Sequence, residues 1–449
     1  MTTPHPGNRP SGALWMAGMA DSIPTGKLAR TGIAGSAMLK AGSRHLRDAA
    51  KRPFLSEAAR HQQQQQLDDE TARILFQTFT RLRGSALKIA QMLSMESNLM
   101  PEWFRREMAK SYHQVPPLGR PLIRKLIMQE FNKPAEELFA YFDSKAFAAA
   151  SLGQVHGATG AQGENLAVKL QYPGIDVTID SDIQLLRSLI KPTRYARLLL
   201  SSIDEIEQRL HEEVDYHHEA DNNEWFKTRL RIPGVNIPAV YRDYSSKRIL
   251  ATERLSGDHL EAWLHTNPTQ QERDHFGQLL YDIFVHSFYG LHALHADPNP
   301  GNYLFTGDGT LGLLDFGCVR YYSSDFVSLM PVLLHAYMTR DADKVISTYQ
   351  RLGMVAAMTE KELQAFYDQT LQPFGDWLTK PFKASRFDFS RREASYTAEG
   401  WRSFKQLTNV HKINDLANEF IYFDRTFFGL YQIFERMGAC IDMEHQWLV

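Results

Sequence analysis

The sequence predicts a mixed α/β fold in which a short strand-rich segment separates two long helical regions. Before that segment, apolar residues recur every three or four positions from about Leu67 to Phe142. Within it, short apolar runs flank a glycine-rich stretch between Phe147 and Gly174. After Gly257 the helical spacing returns. A chain of 449 residues is long enough for two lobes with appendages.

The composition disfavours several protein classes. Hydrophobic residues make up 43% of the chain and charged residues 23%, a balance typical of globular proteins. The net charge of −2 argues against a dominant nucleic-acid-binding surface, so no nucleic-acid partner is expected. Cys318 and Cys440 are the only two cysteines, which indicates a reducing, cytoplasmic compartment. Neither an apolar run long enough to span a membrane nor a secretion signal is recognisable.

The N-terminal segments have an unusual composition. Residues 1–23 are rich in Pro, Gly and Ser and are expected to be disordered. From Pro24 to Arg52 the chain combines small and apolar residues with seven basic residues and one acidic residue, Asp48. This pattern favours either an amphipathic helix on an anionic membrane surface or a helix that packs on its own protein through Gly and Ala. The run Gln62–Gln66 predicts a linker or a polar helix start, so residues 24–66 are treated as one basic segment with its linker.

The rest of the chain is divided into three predicted parts: a helical extension at 67–145, a strand-containing lobe at 146–255 and a helical lobe at 256–449. In the strand-containing lobe, Leu166–Leu170 and Arg248–Leu255 predict strands. A helical stretch from Asp180 to about Phe226, broken near Pro192, lies between them. The helical lobe is interrupted only by HADPNPGNYLF and by LGLLDFG.

The strand that contains Lys169 carries the first candidate for nucleotide binding. A lysine within a strand is most often on a solvated face, but it can also be a fixed cation that holds phosphate oxygens. Such a lysine needs a carboxylate that positions it, and the segment HEEVDYHHEA offers Glu212, Glu213, Asp215 and Glu219. Asp215 and Glu219 lie one helical turn apart on the same face, and a charged solvent-exposed face is the alternative.

The stretch HADPNPGNYLF places Asp297 five residues before Asn302. One interpretation is a turn, because Asp, Asn, Pro and Gly all form turns. The other is that the prolines and glycine preset a loop that holds the two polar side chains for chemistry. LLDFG then places Asp315 after an apolar run. Strand Lys, helix acid, Asp-x4-Asn and Asp-Phe-Gly follow the order of a protein-kinase-like phosphoryl-transfer site.

Each part of this order has a chemical reason. Asn302 and Asp315 can hold Mg²⁺ against phosphate oxygens, and Asp297 can accept a proton or orient a nucleophile. Phosphoryl transfer needs positioning and charge neutralisation more than covalent help. ATP with Mg²⁺ is therefore the expected ligand.

Three features depart from an ordinary protein kinase. Ala148, Ala149 and Ala150 stand where glycines would let backbone amides close over phosphates. The residue before Asp297 is Ala296, so the usual His-Arg-Asp is His-Ala-Asp. After Asp-Phe-Gly there is no Ala-Pro-Glu, and little room is left for a segment that docks a peptide.

These motifs and departures together resemble the UbiB/AarF family of atypical kinase-like proteins, which includes the mitochondrial coenzyme Q members. The resemblance runs from about Pro24 to about Arg320 and is carried by LRGSALKIAQMLS, AAASLGQVH, AVKLQYPG, EVDYHHEA, TERLSG, HADPNPGN and LDFG. It implies a bilobal, protein-kinase-like α/β fold whose N-terminal helical extension packs over the active site.

The resemblance implies roles at the nucleotide site. Lys169 and Glu219 match the phosphate-binding ion pair, Asp297 the catalytic-loop acid, and Asn302 and Asp315 the metal ligands. The Ala-rich loop that covers the nucleotide matches Ala148, Ala149, Ala150 and Ser151.

Further roles are implied at the edges of the site. The family's Lys-x-Gly-Gln signature matches Lys88 and Gln91, with an alanine in place of the glycine. Lys88 is expected to reach the nucleotide site near the Glu-x-Asp motif, here Glu213 and Asp215. Glu253 falls at the hinge between the lobes, where adenine is expected to bind.

By resemblance, the protein is expected to bind ATP or ADP with Mg²⁺ and to support ubiquinone biosynthesis as an ATPase or a small-molecule or lipid kinase. Expected partners are an anionic phospholipid membrane, lipid-like quinone precursors and biosynthetic-complex proteins, with a cytoplasmic, peripheral-membrane location. Two alternatives stay open. One is a small-molecule phosphotransferase of the aminoglycoside or choline kinase type, and the other is a nucleotide-gated scaffold without an enzymatic role.

Overall fold

The computed structural model describes residues 27–51, 56–82, 86, 88–89, 92, 118–150, 152–191, 196–355, 358–390, 395–408 and 418–447. Predictions for residues 1–23 therefore lie outside the described residues. The chain divides into two compact units, Met1–Val115 with Val177–Asp204 and Pro116–Asp176 with Glu205–Val449. Among the described residues, no helix combines the length and apolarity needed to cross a membrane.

The helices and strands are numbered in chain order. The helices are α1 (Lys27–Lys51), α2 (Glu57–Leu82), α3 (Arg120–Phe131), α4 (Ala135–Leu138), α5 (Ile179–Ile190), α6 (Ala196–Glu213), α7 (Tyr216–Arg229), α8 (Leu260–His265), α9 (Gln270–Val285), α10 (Ser324–Thr339), α11 (Ala342–Arg351), α12 (Glu360–Phe366), α13 (Gln372–Leu378), α14 (Tyr396–Thr408) and α15 (Asn418–Met437). The strands are β1 (Tyr141–Ala150), β2 (Gly153–Thr159), β3 (Asn165–Gln171), β4 (Val235–Asn236), β5 (Ile249–Glu253), β6 (Ala293–His295), β7 (Tyr303–Phe305), β8 (Leu311–Leu313), β9 (Val319–Tyr321), β10 (Phe387–Asp388) and β11 (Cys440–Ile441).

In the first unit, α1 packs against α2 and α5. Buried apolar side chains such as Leu67 and Phe79 lie on α2, and Arg44 of α1 forms an ion pair with Glu70 of α2. The run Gln62–Gln66, predicted as a linker or a polar helix start, lies within α2. The helical alternative is therefore the one observed, because the polar face of a helix accepts glutamines at little cost.

The smaller lobe of the second unit is a four-stranded antiparallel sheet in the order β1-β2-β3-β5. The predicted strands at 166–170 and 248–255 correspond to β3 and β5. In β3, Leu166, Val168 and Leu170 are fully buried against α3 and α4. Because side chains alternate along a strand, Lys169 points to the opposite face of the sheet.

The larger lobe is mainly helical, as predicted, but it contains more strands than the pattern indicated. A three-stranded sheet in the order β4-β8-β7 and the pair β6-β9 flank the HADPNPGN loop, and β10 pairs with β11. The expectation that this lobe is helical outside two segments was wrong for β6, β9, β10 and β11. These strands have two or three residues each, too few for an alternating pattern to be recognised.

Candidate nucleotide and magnesium site

Lys169, Glu219 and Asp315 meet in a compact charged cluster in the second unit. Lys169 Nζ donates to Glu219 Oε1 and Oε2 at 3.0 and 2.9 Å, and to Asp315 Oδ2 at 3.1 Å. The Lys169 and Glu219 side chains are only 15% and 6% exposed, whereas that of Asp315 is 40% exposed. A fixed cation is therefore held between a buried carboxylate and an accessible one. Glu219, one of the acidic residues that the sequence offered in HEEVDYHHEA, thus contacts Lys169 with both carboxylate oxygens.

The local fold explains why Glu219 lies there. Asp215 is the N-cap of α7, and its Oδ1 accepts hydrogen bonds from the backbone N–H groups of His217 and His218 at 3.1 and 3.2 Å. This cap starts the helix and places Glu219 one turn later, on a buried face. The ring of Tyr216 lies beneath Lys169, with Nζ 5.1 Å from its centroid. Sequence reasoning missed this ring, which supports the cation through a cation–π contact.

Burial and charge act against each other in this cluster. Burial alone lowers the pKa of Lys169, but Asp315 and Glu219 outweigh it and hold the pKa well above its usual range. Burial raises the pKa of Glu219 to about 7 against the opposing charge of Lys169. Burial also opposes ionisation of Asp315, but Lys169 lowers its pKa below the usual value. Lys169 and Asp315 are thus charged at neutral pH, whereas Glu219, with a pKa of about 7, gains or loses its proton near that pH.

Asp315 has an unusual backbone that His295 supports. Its φ is 57°, in the left-handed region that costs energy for a residue with a side chain. His295 is buried, and its Nε2 lies 2.9 Å from the carbonyl oxygen of Leu314 and 2.7 Å from that of Asp315. Two carbonyl acceptors require that Nε2 carry the proton. His295 therefore holds the Asp-Phe-Gly backbone, a role that sequence reasoning did not assign.

The HADPNPGN loop holds Asp297 and Asn302 side by side. Asn302 Nδ2 donates to the Asp297 carbonyl at 3.1 Å and to Asp297 Oδ2 at 3.0 Å. The Asn299 side chain accepts from the Gly301 N–H at 2.9 Å and starts a short 3₁₀ turn at Pro300–Asn302. The Leu314 N–H donates to the Asn302 carbonyl at 2.8 Å, which joins the loop to the residue before Asp315. The proline-rich loop thus places Asn302 and the Asp-Phe-Gly segment at one end of the β7-β8 hairpin.

Arg425 of α15 also reaches the HADPNPGN loop, and sequence reasoning missed it. Its Nη2 lies 3.3 Å from Asp297 Oδ1, with the two side chains 21% and 28% exposed. A second arginine nearby, Arg320, pairs with Glu212 at 2.7 Å and with the Tyr422 hydroxyl at 2.9 Å. Asp297 therefore lies beside positive charge from a helix more than a hundred residues further along the chain. No local motif marked this arginine.

The alanines predicted to cover the nucleotide lie at the end of β1. Ala148, Ala149 and Ala150 pair with Val155, Gln154 and Gly153 of β2, and Ser151 lies outside the described residues. The close approach of β2 to β3 at this end of the sheet depends on Gly153, since a Cβ there would lie 2.2 Å from the carbonyl oxygen of Leu170 in β3. The predicted role of these alanines in covering phosphates stays a prediction.

The remaining predicted residues are placed as follows. Glu253 ends β5, where its N–H donates to the Ala239 carbonyl at 2.8 Å and its Oε2 accepts from the Ala239 N–H at 3.2 Å. Its side chain is thus engaged with the chain that follows β4. Glu213 is half-buried at the end of α6. Lys88 is half-buried in helical backbone of the first unit, and Gln91 lies outside the described residues. The nucleotide-site roles of these residues stay predictions.

The donor set fits a magnesium nucleotide. Mg²⁺ prefers oxygen ligands, and Asp315 offers an accessible carboxylate while Asn302 offers an amide oxygen. Lys169 supplies a cation for phosphate oxygens beside them. Asn302 and Asp315 could therefore hold the ion, whose chemical contribution would be to neutralise phosphate charge.

Comparison with known proteins identifies a family. Residues 110–349 match the ABC1 atypical kinase-like domain. "Atypical kinase COQ8B, mitochondrial" of Rattus norvegicus is 27% identical over 386 residues, which cover 84% of this chain and 72% of that protein. "Probable serine/threonine-protein kinase abkA" of Dictyostelium discoideum is 26% identical over 348 residues, which cover 72% of this chain and 61% of that protein. "Atypical kinase coq-8, mitochondrial" of Caenorhabditis elegans is 28% identical over 354 residues, which cover 76% of this chain and 45% of that protein. The chain thus spans only about half of the length of the last two relatives.

A solved structure shares the fold. The complex of Rv3197 with erythromycin from Mycobacterium tuberculosis aligns with a TM-score of 0.57 at 24% sequence identity, covering 84% of this chain and 94% of that one. This likeness shows the fold alone.

Proposed function

The chain belongs to the ABC1 atypical kinase-like (UbiB/AarF) family and has an α/β kinase-like fold, and from this premise we propose that it binds ATP with Mg²⁺ and turns it over. The observation that carries the proposal is the Lys169–Glu219–Asp315 cluster. A lysine buried to this degree keeps its charge only because two carboxylates hold it. Burying charged groups in this way costs stability, which indicates that the cluster is kept for a function. Binding phosphate is the function that fits its chemistry.

Each residue has a defined task in the proposed reaction. Lys169 binds phosphate oxygens and Glu219 fixes its position. Asn302 and Asp315 hold the magnesium ion. Asp297 orients the attacking hydroxyl or water, and Arg425 holds Asp297 in place. We propose that the β1-β2 hairpin takes the part of a glycine-rich loop and covers the phosphates.

The output we propose is ATP hydrolysis or phosphoryl transfer to a small, lipid-like acceptor in support of ubiquinone biosynthesis. Two of the relatives described above carry the name coq-8 or COQ8B and the label mitochondrial, which supports a role of this type by analogy. A protein acceptor is disfavoured, because the sequence lacks the segment that docks a peptide in protein kinases.

Helix α1 supports a peripheral membrane location. Leu39 and Leu46 are 76% and 74% exposed and lie seven residues apart, on one face of the helix. Lys40 and Arg47 are also exposed, and they have the same spacing on the neighbouring face. An exposed apolar stripe beside basic residues is the arrangement that binds the surface of an anionic bilayer.

Calorimetric titration with ATP, in the presence and absence of Mg²⁺, tests the nucleotide site. We expect Mg²⁺-dependent binding of ATP to the parent protein and an ATP affinity at least tenfold lower in Asp315→Asn. The matched control is Asp308→Asn, because Asp308 is exposed at the far end of the same hairpin and only accepts hydrogen bonds from Thr306 and Thr310. Equal affinity in all three proteins would contradict the assignment of Asp315. Binding without turnover would favour the nucleotide-gated scaffold.

A further inference from the structure

A cavity of about 50 Å³ lies within the larger lobe, among α9, α10, α11, α13 and α15. We call it the α15 cavity. Its walls are mostly aromatic and aliphatic side chains, and its lining contains one carboxyl group, Asp424, and one imidazole, His445. None of the residues of the nucleotide site described above belongs to this lining.

Asp424 is an unusual group to find in such a wall. The residue is 7% exposed, and its Oδ2 is fully buried without a hydrogen-bond partner among the described residues. Burial raises the pKa of Asp424 well above its usual range. The groups that feel its charge include the hydroxyls of Tyr322, Tyr337 and Tyr349, and none of them is a cation. Burial without a cationic partner therefore favours the neutral form of Asp424, and in that form the carboxyl group can donate one hydrogen bond.

His445 is a second polar group without a partner. Its Nδ1 is buried and makes no hydrogen bond within the described part of the chain. Its ring lies 4.9 Å from that of Tyr289. Burial and the nearby His286 lower the pKa of His445 to about 4, so the ring is neutral at pH 7. Buried polar atoms are nearly always paired, and two unpaired ones in a single cavity indicate a ligand that supplies the missing partner.

The size and walls of the cavity restrict that ligand. A water needs about 10–15 Å³ by this measure, so the cavity holds roughly three to five heavy atoms. Among the lining residues Leu333 and Phe374 are buried, whereas Leu378 and Phe382 are only half-buried. A longer molecule can therefore enter past Leu378 and Phe382 with only its end enclosed. Apolar walls disfavour water and charge, which leaves a neutral, apolar chain.

We propose that the α15 cavity binds the oxygen-bearing end of a neutral, elongated, apolar molecule, whose carbonyl oxygen accepts a hydrogen bond from Asp424. The ligand class is an aliphatic ketone or a molecule with an equivalent chain and carbonyl group. The proposal concerns binding alone and does not depend on ATP turnover, so the two proposals fail independently.

The probe is 2-heptanone labelled with ¹³C at its carbonyl carbon, titrated into the full-length protein and followed by NMR. We expect saturable binding, with a downfield carbonyl shift that reports the hydrogen bond. Asp424→Leu removes the donor, so affinity should fall about tenfold and the shift should disappear. Asp424→Asn keeps an N–H donor in the same place and should retain both. Because Asp424→Leu removes an unpartnered buried polar group, we expect it to melt no lower than the parent protein.

A second variant tests whether the loss of binding in Asp424→Leu is an indirect effect of the substitution. Leu333→Phe enlarges a buried wall residue and should block the cavity while Asp424 remains, provided that the variant melts cooperatively. Leu122→Phe, on exposed surface of α3, is the matched control and should bind as the parent does. No saturable binding to the parent protein would overturn the proposal. Unchanged affinity in Asp424→Leu would overturn it as well, since the ketone would then bind without the carboxyl group.

Discussion

Replacement of Glu219 by glutamine tests whether the buried ion pair positions the phosphate-binding lysine. The carboxylate accepts two hydrogen bonds from Lys169, at 3.0 and 2.9 Å, and the remaining bond from Lys169 to Asp315 is 3.1 Å long. Glutamine keeps the shape of the side chain but removes its charge and one acceptor. Lys169 is then held by Asp315 alone, the same carboxylate that the magnesium ion needs.

The size of the effect follows from burial. With Lys169 15% and Glu219 6% exposed, solvent screens the pair little. A hydrogen bond to a charged group contributes about 1.5–3 kcal/mol, and glutamine retains one weaker bond. We therefore expect ATP affinity to fall roughly 10- to 150-fold, the range to which about 1.5–3 kcal/mol corresponds.

The matched control is Glu130→Gln in the smaller lobe. Glu130 is 10% exposed on its side chain, pairs with Arg248 at 2.6 Å and accepts a further hydrogen bond from Ser246, so it contacts Arg248 and Ser246 rather than Lys169. Both variants should lower the midpoint of urea unfolding, but only Glu219→Gln should weaken ATP binding in a calorimetric titration. If both variants bind ATP as the parent protein does, or if both lose affinity equally, the positioning role of Glu219 is refuted.

Three further results are expected. The pKa of Glu219 is raised to about 7, so ATP affinity should fall as the pH drops through about 7, because the protonated carboxyl group no longer holds Lys169 as an ion pair. The ATP affinity of Glu219→Gln should not change over this pH range. Arg425→Gln removes the ion pair with Asp297 at 3.3 Å, and we expect kcat to fall about tenfold with little change in ATP affinity or melting temperature, because exposed pairs contribute about 0–1 kcal/mol. Arg47→Glu should weaken sedimentation with phosphatidylserine vesicles several-fold, since each basic residue near an anionic surface contributes about 1 kcal/mol, whereas the exposed Arg351→Glu should not.

The parts of the site that local patterns encode could be predicted from the sequence. Lys169 lies in a strand whose buried leucines and valine alternate with it, so its side chain had to face away from the sheet's core. Asp297 and Asn302 lie in a loop whose prolines restrict the backbone and bring the two side chains within 3.0 Å. In both cases the information is contained within ten residues of the chain.

The missed residues act across long sequence separations. Arg425 lies 128 residues beyond Asp297 in the chain, and the two meet only because α15 packs against the HADPNPGN loop. His295 was quoted in the motif, but its hydrogen bonds to the carbonyls of Leu314 and Asp315 depend on the pairing of β6 with β9. Strands of three residues are too short for their pairing to be recognised in the sequence, so these contacts are set by tertiary packing.

Magnesium-dependent ATP hydrolysis by the purified protein, with and without anionic liposomes, tests the central claim most directly. Asp315→Asn and the control Asp308→Asn are measured beside the parent protein. We predict turnover that requires Mg²⁺, increases with liposomes, survives in Asp308→Asn and vanishes in Asp315→Asn. Turnover that persists unchanged in Asp315→Asn would contradict the claim that Lys169, Asn302 and Asp315 form the site of ATP chemistry.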